Sequence, residues 1–205
     1  MPTIAVLDYG SGNLHSVSRA LAHAGGEPRV TGEPGQVAEA DALVIPGVGH
    51  FGHCVRAIRA AGLDRAIADA VDAGVPVFGV CVGMQVLFER SDEDPDEGLG
   101  ILPGGSRRLP HDVKVPHIGW NEVAWRRAHP YVEGIVDGTR FYFVHSFAPD
   151  VDDDAVGVTK HGRPFAAAAA RENVFATQFH PEKSGAAGLA IYANFVSSIR
   201  ARVPA

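Results

Sequence analysis

The sequence predicts an α/β fold: a mostly parallel central sheet flanked by helices, with antiparallel additions. Three observations predict it. Through residue 90, short apolar runs alternate with segments of helical periodicity, the pattern of βαβ units. From about residue 140 onward the chain is β-rich, with short strands separated by turn residues, as expected of antiparallel additions. Between them, an apolar run from Val75 to Val80 stops at Gly79-Val80-Cys81-Val82-Gly83, and a helical pattern (Met84, Val86, Leu87, Phe88) follows at once.

In chain order, Thr3–Tyr9 reads as a buried strand. Gly10-Ser11-Gly12-Asn13 turns it into a helix with Leu14, Val17, Leu21 and Ala24 on one face, stopped at Gly25-Gly26. Gly10-x-Gly12 does not fit a dinucleotide-binding turn, because His15 stands where a third small residue is needed for close packing. Residues 28–31 and 41–45 read as strands, the second ending in Pro46-Gly47-Val48-Gly49. Residues 51–73 carry helical periodicity broken at Gly62 and stopped at Gly74. SDEDPDEG (91–98) reads as a solvated acidic loop. Residues 114–120 contain Pro116 and belong at an edge or in a loop. Residues 140–147 form an aromatic, β-branched strand, and residues 155–160, 165–171 and 174–179 form further strands. The five alanines at 166–170 fit a helix equally well on propensity. A last helix, about 188–202, places Leu189, Tyr192, Phe195 or Val196, and Ile199 on one face.

The length of 205 residues suits one domain with a sizeable core, taken as 1–205. At 46% hydrophobic and 20% charged, the composition is that of an ordinary globular protein. A net charge of −6 gives no basic footprint for nucleic acid. No apolar run approaches the ~20 residues of a membrane span, and the first ten residues read as a strand without a basic leader region. The two cysteines, Cys54 and Cys81, are too few for a disulfide scaffold and show no metal-ligand spacing. A reduced, cytoplasmic protein without metal or cofactor is therefore expected.

The chemistry centres on G-x-C-x-G, the cysteine form of a nucleophile elbow, in which a tight strand-to-helix turn lifts a reactive atom above the sheet. Flanking glycines allow strand and helix to pack closely. An ordinary thiol has a pKa near ~8.5, and a helix N-terminus lowers it. Taken alone, the motif also fits a small buried cysteine in a βα loop. The second half of the constellation is TQFHPEKS, 177–184. His180 and Glu182 flank Pro181, and in extended chain residues i and i+2 point the same way, roughly 6.5–7 Å apart. Glu182 can then orient the His180 imidazole, which supplies the base that a cysteine nucleophile requires. Cys54 lacks turn glycines and a paired histidine and is expected to be structural. His50 and His53 are expected to be surface or core polar residues.

GVCVGMQ together with TQFHPEKS resembles the class I, or triad, glutamine amidotransferases, and this resemblance implies flavodoxin-like layering of the sheet and helices. DYGSGNL (8–14), PGVG (46–49), PHIGWN (116–121), YFVHSF (142–147) and EKSG (182–185) resemble, more narrowly, the branch of glutaminase subunits that serve imidazole glycerol phosphate synthase in histidine biosynthesis. The resemblance covers residues 4–200. It implies a Cys81, His180, Glu182 triad acting on L-glutamine and an oxyanion hole from the N–H groups of Val48 and Val82. It implies substrate contacts at Gly49, Gln85, Ser146 and Phe147, where the family more often has Tyr at 147. It also implies an interface at Asn13, Trp120 and Lys183 for a (β/α)8 cyclase subunit, forming a heterodimer.

Overall fold

The computed structural model describes residues 1–202. At its centre is an eight-stranded sheet built from β1 (Thr3–Leu7), β2 (Glu27–Thr31), β3 (Ala42–Gly47), β4 (Val77–Cys81), β8 (Ala124–Trp125), β11 (Ala155–His161), β12 (Arg163–Arg171) and β13 (Val174–Thr177). Their order across the sheet is β2-β1-β3-β4-β13-β12-β11-β8. The five from β2 to β13 run parallel, and β12, β11 and β8 are antiparallel additions. This is the mixed sheet that the alternation pattern predicts. The parallel strands are buried on both faces: all five residues of β4 and all six of β3 are inaccessible.

The helices are α1 (Leu14–His23), α2 (Pro34–Ala38), α3 (Phe51–Ala60), α4 (Leu63–Asp72), α5 (Val82–Gln85) and α6 (Gly185–Arg202). The break at Gly62 falls where expected, in the left-handed conformation at φ 68°. On β4 and β13 the register partners Phe78 and Phe175 meet edge to face at 5.2 Å, and Phe195 of α6 closes on Phe78 at 5.4 Å. So α6 packs the sheet directly behind the strands that lead to Cys81.

Several elements differ from the sequence expectation. The helix after Cys81 is a single turn, α5, and Phe88 belongs instead to a strand, β5 (Phe88–Ser91). Beside it lie β6 (Leu102–Arg108) and β10 (Phe147–Pro149), a small sheet that sequence periodicity does not reveal. Two glycines and a proline in β6 conceal its alternation. The acidic segment 91–98 is not simply solvated. The N-terminus of α3 has no side-chain cap of its own, and Glu93 supplies one, its carboxylate accepting from the Phe51 N–H at 2.8 Å. Asp94 pairs with Arg56 and lies 3.7 Å from His50. The alanine run is strand β12, buried over six successive residues, so burial on both faces overrides the helical propensity of alanine. Residues 117–122 form β7 (His117–Glu122), paired antiparallel with β9 (Arg140–His145) in a separate ribbon. The strand 140–147 breaks at Ser146, between β9 and β10.

In the register of β3, β4 and β13, Gly47 stands beside Cys81, and Val80 stands between Pro46 and Thr177. Because these strands are parallel, their carboxyl ends coincide. The loop 47–49, Cys81 and the segment leading to His180 therefore emerge together, where open α/β sheets place their ligands.

The elbow glycines are sterically required. A Cβ on Gly83 would sit 1.8 Å from the Ile45 carbonyl oxygen, and one on Gly79 would sit 2.7 Å from that of Gly83. Gly35, in α2, has open space instead. In urea unfolding, Gly83→Ala is expected to lose at least ~1–3 kcal/mol. Gly35→Ala is expected to be neutral or to gain up to about 1 kcal/mol. Equal stability of the two variants would contradict the close approach of α5 to β3.

Candidate functional site

Cys81 ends β4 with φ 56° and ψ −111°, a backbone conformation that non-glycine residues rarely hold. Such strain persists only where the surroundings over-determine it. Here the strand fixes one side and the one-turn helix α5, pressed against β3, fixes the other. The sulfur is 3% exposed at the residue level and faces a cavity of about 270 Å³. Val48, Gly49, Val82, Gln85, Ser146, Phe147, His180 and Lys183 all line this cavity with Cys81. Two larger surface grooves, one along residues 125–135 and one between α2 and α4, contain no comparable set of reactive groups.

His180 follows β13 in extended conformation and Pro181 opens a 3₁₀ turn, Pro181–Lys183. The His180 N–H donates to the Tyr142 carbonyl at 2.9 Å, and the Ser184 hydroxyl donates to the His180 carbonyl at 2.6 Å, so the segment is held at both ends. Gly188 of α6 passes so close to the Pro181 carbonyl that a Cβ there would lie 1.8 Å from it. His180 Nδ1 meets Glu182 Oε1 at 2.8 Å, with side-chain exposures of 2% and 1%. Asn13 reaches the same carboxylate oxygen at 3.5 Å. His180 Nε2 has no protein hydrogen-bond partner within normal limits and is buried. Burial alone would lower the His180 pKa. The charge of the neighbouring Cys81 sulfur and then the Glu182 carboxylate outweigh this and raise it to about 10.

The expected oxyanion donors are placed differently from each other. Val82 opens α5 beside the sulfur, at the cavity wall. The Val48 N–H instead points to the Ser11 hydroxyl at 3.4 Å, and the same hydroxyl donates to the Val48 carbonyl at 2.5 Å. In this conformation Ser11 thus engages both polar groups of Val48. Gln85 also differs from expectation. Its amide is buried and both its hydrogens are engaged within the protein, to the Phe147 carbonyl and to Gln178 Oε1, each at 2.9 Å. It braces the cavity wall and offers no free donor to a substrate.

Sequence reasoning missed Gln178 and His117. Gln178 Nε2 lies 3.7 Å from the Cys81 sulfur. Its position two residues before His180 in an extended segment was the available signal. His145, which also lines the cavity, and His117 form a buried pair with facing nitrogens 3.0 Å apart. Cys54 is a buried free thiol near Ser11 and the Val48 carbonyl, as a structural cysteine should be. Trp120 is 55% exposed, Asn13 is half-buried, and the Lys183 ammonium lies 5.9 Å from the centre of the Tyr142 ring.

Comparisons with known proteins identify the family. The family model for glutamine amidotransferase class-I matches residues 5–199. The chain belongs to this family. The imidazole glycerol phosphate synthase subunit HisH of Nostoc punctiforme is 44% identical over 211 residues, covering 100% of both chains. The protein of the same name from Halobacterium salinarum is 48% identical, covering 95% of this chain and 92% of its own. The chain therefore falls within the HisH branch and is an enzyme of the glutaminase type. Among solved structures, that of PurLQS from Thermotoga maritima superposes with a TM-score of 0.76 at 20% identity, over 97% of this chain and 99% of the other. The glutaminase domain of CTPS from Trypanosoma brucei gives 0.71 at 17% identity, over 100% and 96%. These two establish the amidotransferase fold.

Two outcomes test the electrostatics. Glu182→Gln removes the charge that favours imidazolium, so the His180 pKa should fall. Glutaminase turnover should drop by at least about 10²-fold, as in triads that lose their orienting carboxylate. NMR titration of His180 and steady-state rates check both. Separately, burial and then the neighbouring His117 depress His145 to about 3, and burial and then His161 depress His117 to about 4. Groups with depressed imidazole pKa stay neutral in the native state while the unfolded chain takes up protons below pH ~6.5. Stability should then be lost as pH falls from 6.5 toward 4, by about 1–2 kcal/mol at pH 5 from His145 alone. A urea midpoint equal at pH 7 and pH 5 would contradict this.

Proposed function

We propose that the chain is the glutaminase subunit of an imidazole glycerol phosphate synthase, with Cys81, His180 and Glu182 as its catalytic triad. The observation that carries this reading is the strained Cys81 turn. It presents the sulfur to a His180 imidazole fixed by Glu182 at 2.8 Å, inside a cavity of amino-acid size.

In the proposed reaction, Cys81 gives its proton to His180 and the sulfur attacks the side-chain amide carbon of glutamine. The amide oxygen becomes an oxyanion, which backbone N–H groups stabilise. Val82 is positioned for this. Val48 contributes once its peptide rotates away from Ser11, a local change suited to switching the site on. His180 then protonates the departing nitrogen, ammonia leaves, and a glutamyl thioester remains. Water, deprotonated by His180, attacks the thioester to give glutamate and the free thiol. Glu182 holds the imidazole in register throughout. Gly49, Ser146 and Phe147 border the substrate, and Phe147 offers its ring without a hydroxyl.

Ammonia passes to a (β/α)8 barrel, the cyclase subunit, which converts phosphoribulosyl-formimino-AICAR to imidazole glycerol phosphate and AICAR. The proposed docking face carries Asn13, Trp120 and Lys183, of which Lys183 lines the cavity, and the exposed Ile118 and Trp120 side chains give it an apolar part. Residues 1–205 act as one glutaminase unit, cytoplasmic and heterodimeric with the cyclase. No helix among the described residues is long and apolar enough to cross a membrane.

Glutamate formation from glutamine is measured with the chain alone, with the cyclase, and with the cyclase and its ribonucleotide. Near-silence alone and strong activation in the last condition are expected. Full activity indifferent to the cyclase would keep the thiol chemistry and overturn the synthase assignment. Cys81→Ala should abolish ammonia release and leave cyclase binding intact; loss of binding would count against the site.

A further inference from the structure

A polar cluster that the triad does not use begins at the cavity wall, which His145 helps to line, and continues behind it to His117. His145, at the end of β9, and His117, at the start of β7, are both buried, 6% and 5% exposed. Their hydrogens can be assigned from the acceptors. The Phe147 carbonyl can only accept, so His145 Nδ1, 2.9 Å away, carries a hydrogen. His145 Nε2 is then the lone pair of a neutral ring, and it accepts from His117 Nδ1 at 3.0 Å. His117 Nε2 in turn accepts from the Asn121 amide at 3.3 Å. The second hydrogen of that amide goes to the Lys160 carbonyl at 3.0 Å, and the Asn121 oxygen accepts from the Glu122 N–H at 2.9 Å. Every hydrogen thus has one place, and the chain of donors runs in a single direction from Asn121 to Phe147.

The endpoint matters because the Phe147 carbonyl is held from both sides. Gln85 donates to it from α5, one turn after Cys81, and His145 donates to it from β9. Two donors on one carbonyl satisfy both its lone pairs and fix the peptide plane. That plane is the Phe147–Ala148 peptide, and fixing it anchors the end of the Ser146–Phe147 stretch that lines the cavity beside the sulfur. Two histidines buried in the neutral state would be a costly way to fill space, since apolar side chains of similar volume need no partners.

We propose that His145 and His117 are positioning residues that, through the Phe147 carbonyl, set the wall against which the amino-acid end of glutamine seats. This rests on the glutamine reading above. The pair acts on substrate binding, and the nucleophile keeps its own reactivity.

The test compares His145→Phe, which removes both hydrogen bonds, with His145→Asn, whose amide nitrogen stands near the lost Nδ1 and can still donate to Phe147. Both are assayed in complex with the cyclase and its ribonucleotide, and thermal melts establish that each is folded. His145→Phe should raise the KM for glutamine at least about tenfold and change kcat less than threefold. His145→Asn should recover most of the KM. Alkylation of Cys81 by iodoacetamide, followed on its own peptide, should proceed at the wild-type rate in both. A loss confined to kcat, slowed alkylation, or no recovery with Asn would overturn the positioning role. If His145→Phe does not fold, Asn121→Ala at the accessible end decides: a KM raised about threefold supports the role, and an unchanged KM overturns it. A wild-type complex that alkylates normally but releases no glutamate from glutamine would overturn the glutamine reading, and this role with it. Normal glutamate release by wild type with unaltered KM in the variants would overturn this role alone.

Discussion

The left-handed turn at Cys81 is the constraint on which the rest of the structure depends. A cysteine at φ 56° would relax to an ordinary conformation unless both its flanks were immovable. The flank before it is a central strand hydrogen-bonded on both edges, to β3 and to β13. The flank after it is a helix turn packed so tightly on β3 that only glycine fits at 83. Central placement in the sheet therefore has a chemical purpose as well as a packing one. An edge strand, with one ladder missing, would leave the turn free to flatten and the sulfur free to withdraw from the cavity.

The same parallel ladder settles who meets the sulfur. Strands in register end together, so the loop after β3 and the segment after β13 arrive at Cys81 without long connections. His180 ends the extended segment and Glu182 lies in the 3₁₀ turn Pro181–Lys183, so the turn, and not the two-residue repeat of extended chain, brings them to 2.8 Å. Burial then sharpens the electrostatics. In a site this dry, a carboxylate and a sulfur beside one imidazole raise its proton affinity against a desolvation cost that alone would lower it. His180 Nε2 and Glu182 Oε2 are among the few buried polar atoms without protein partners among the described residues. Unsatisfied groups are expensive in a folded interior, and here they sit on the two residues that handle the proton.

What was legible in the sequence was what depends on local pattern. Strand and helix alternation, the glycines around Cys81 and the spacing of His180 and Glu182 each follow from steric rules that act within a few residues. What was not legible depends on hydrogen-bond partners far along the chain or on the burial that neighbouring strands impose. The acidic residues 93 and 94 look solvated until α3 is seen to lack a cap, a need that arises 42 residues earlier for Glu93. The alanine run is helical by propensity and becomes a strand only because β11 and β13 already flank it. Gln85 looks like a substrate ligand by position, but Phe147 and Gln178, 62 and 93 residues away, take both its hydrogens. In each case a long-range hydrogen-bond partner or neighbouring strand decided the outcome, and local sequence carries no record of it.

The ribbon β7–β9 joins these two levels. One of its strands presents Ile118 and Trp120 outward, 57% and 55% exposed, and turns His117 inward onto His145. Alternation along a strand places consecutive side chains on opposite faces, so Ile118 and Trp120 share the outer face and His117 the inner one. His117 and His145 also pack against Phe143 and Phe165, at 5.0 and 4.9 Å, which leaves the pair little room to absorb a shift. The outward face available to a partner and the inner wall of the cavity are thus two sides of one strand pair, and the reactive sulfur lies beyond that wall.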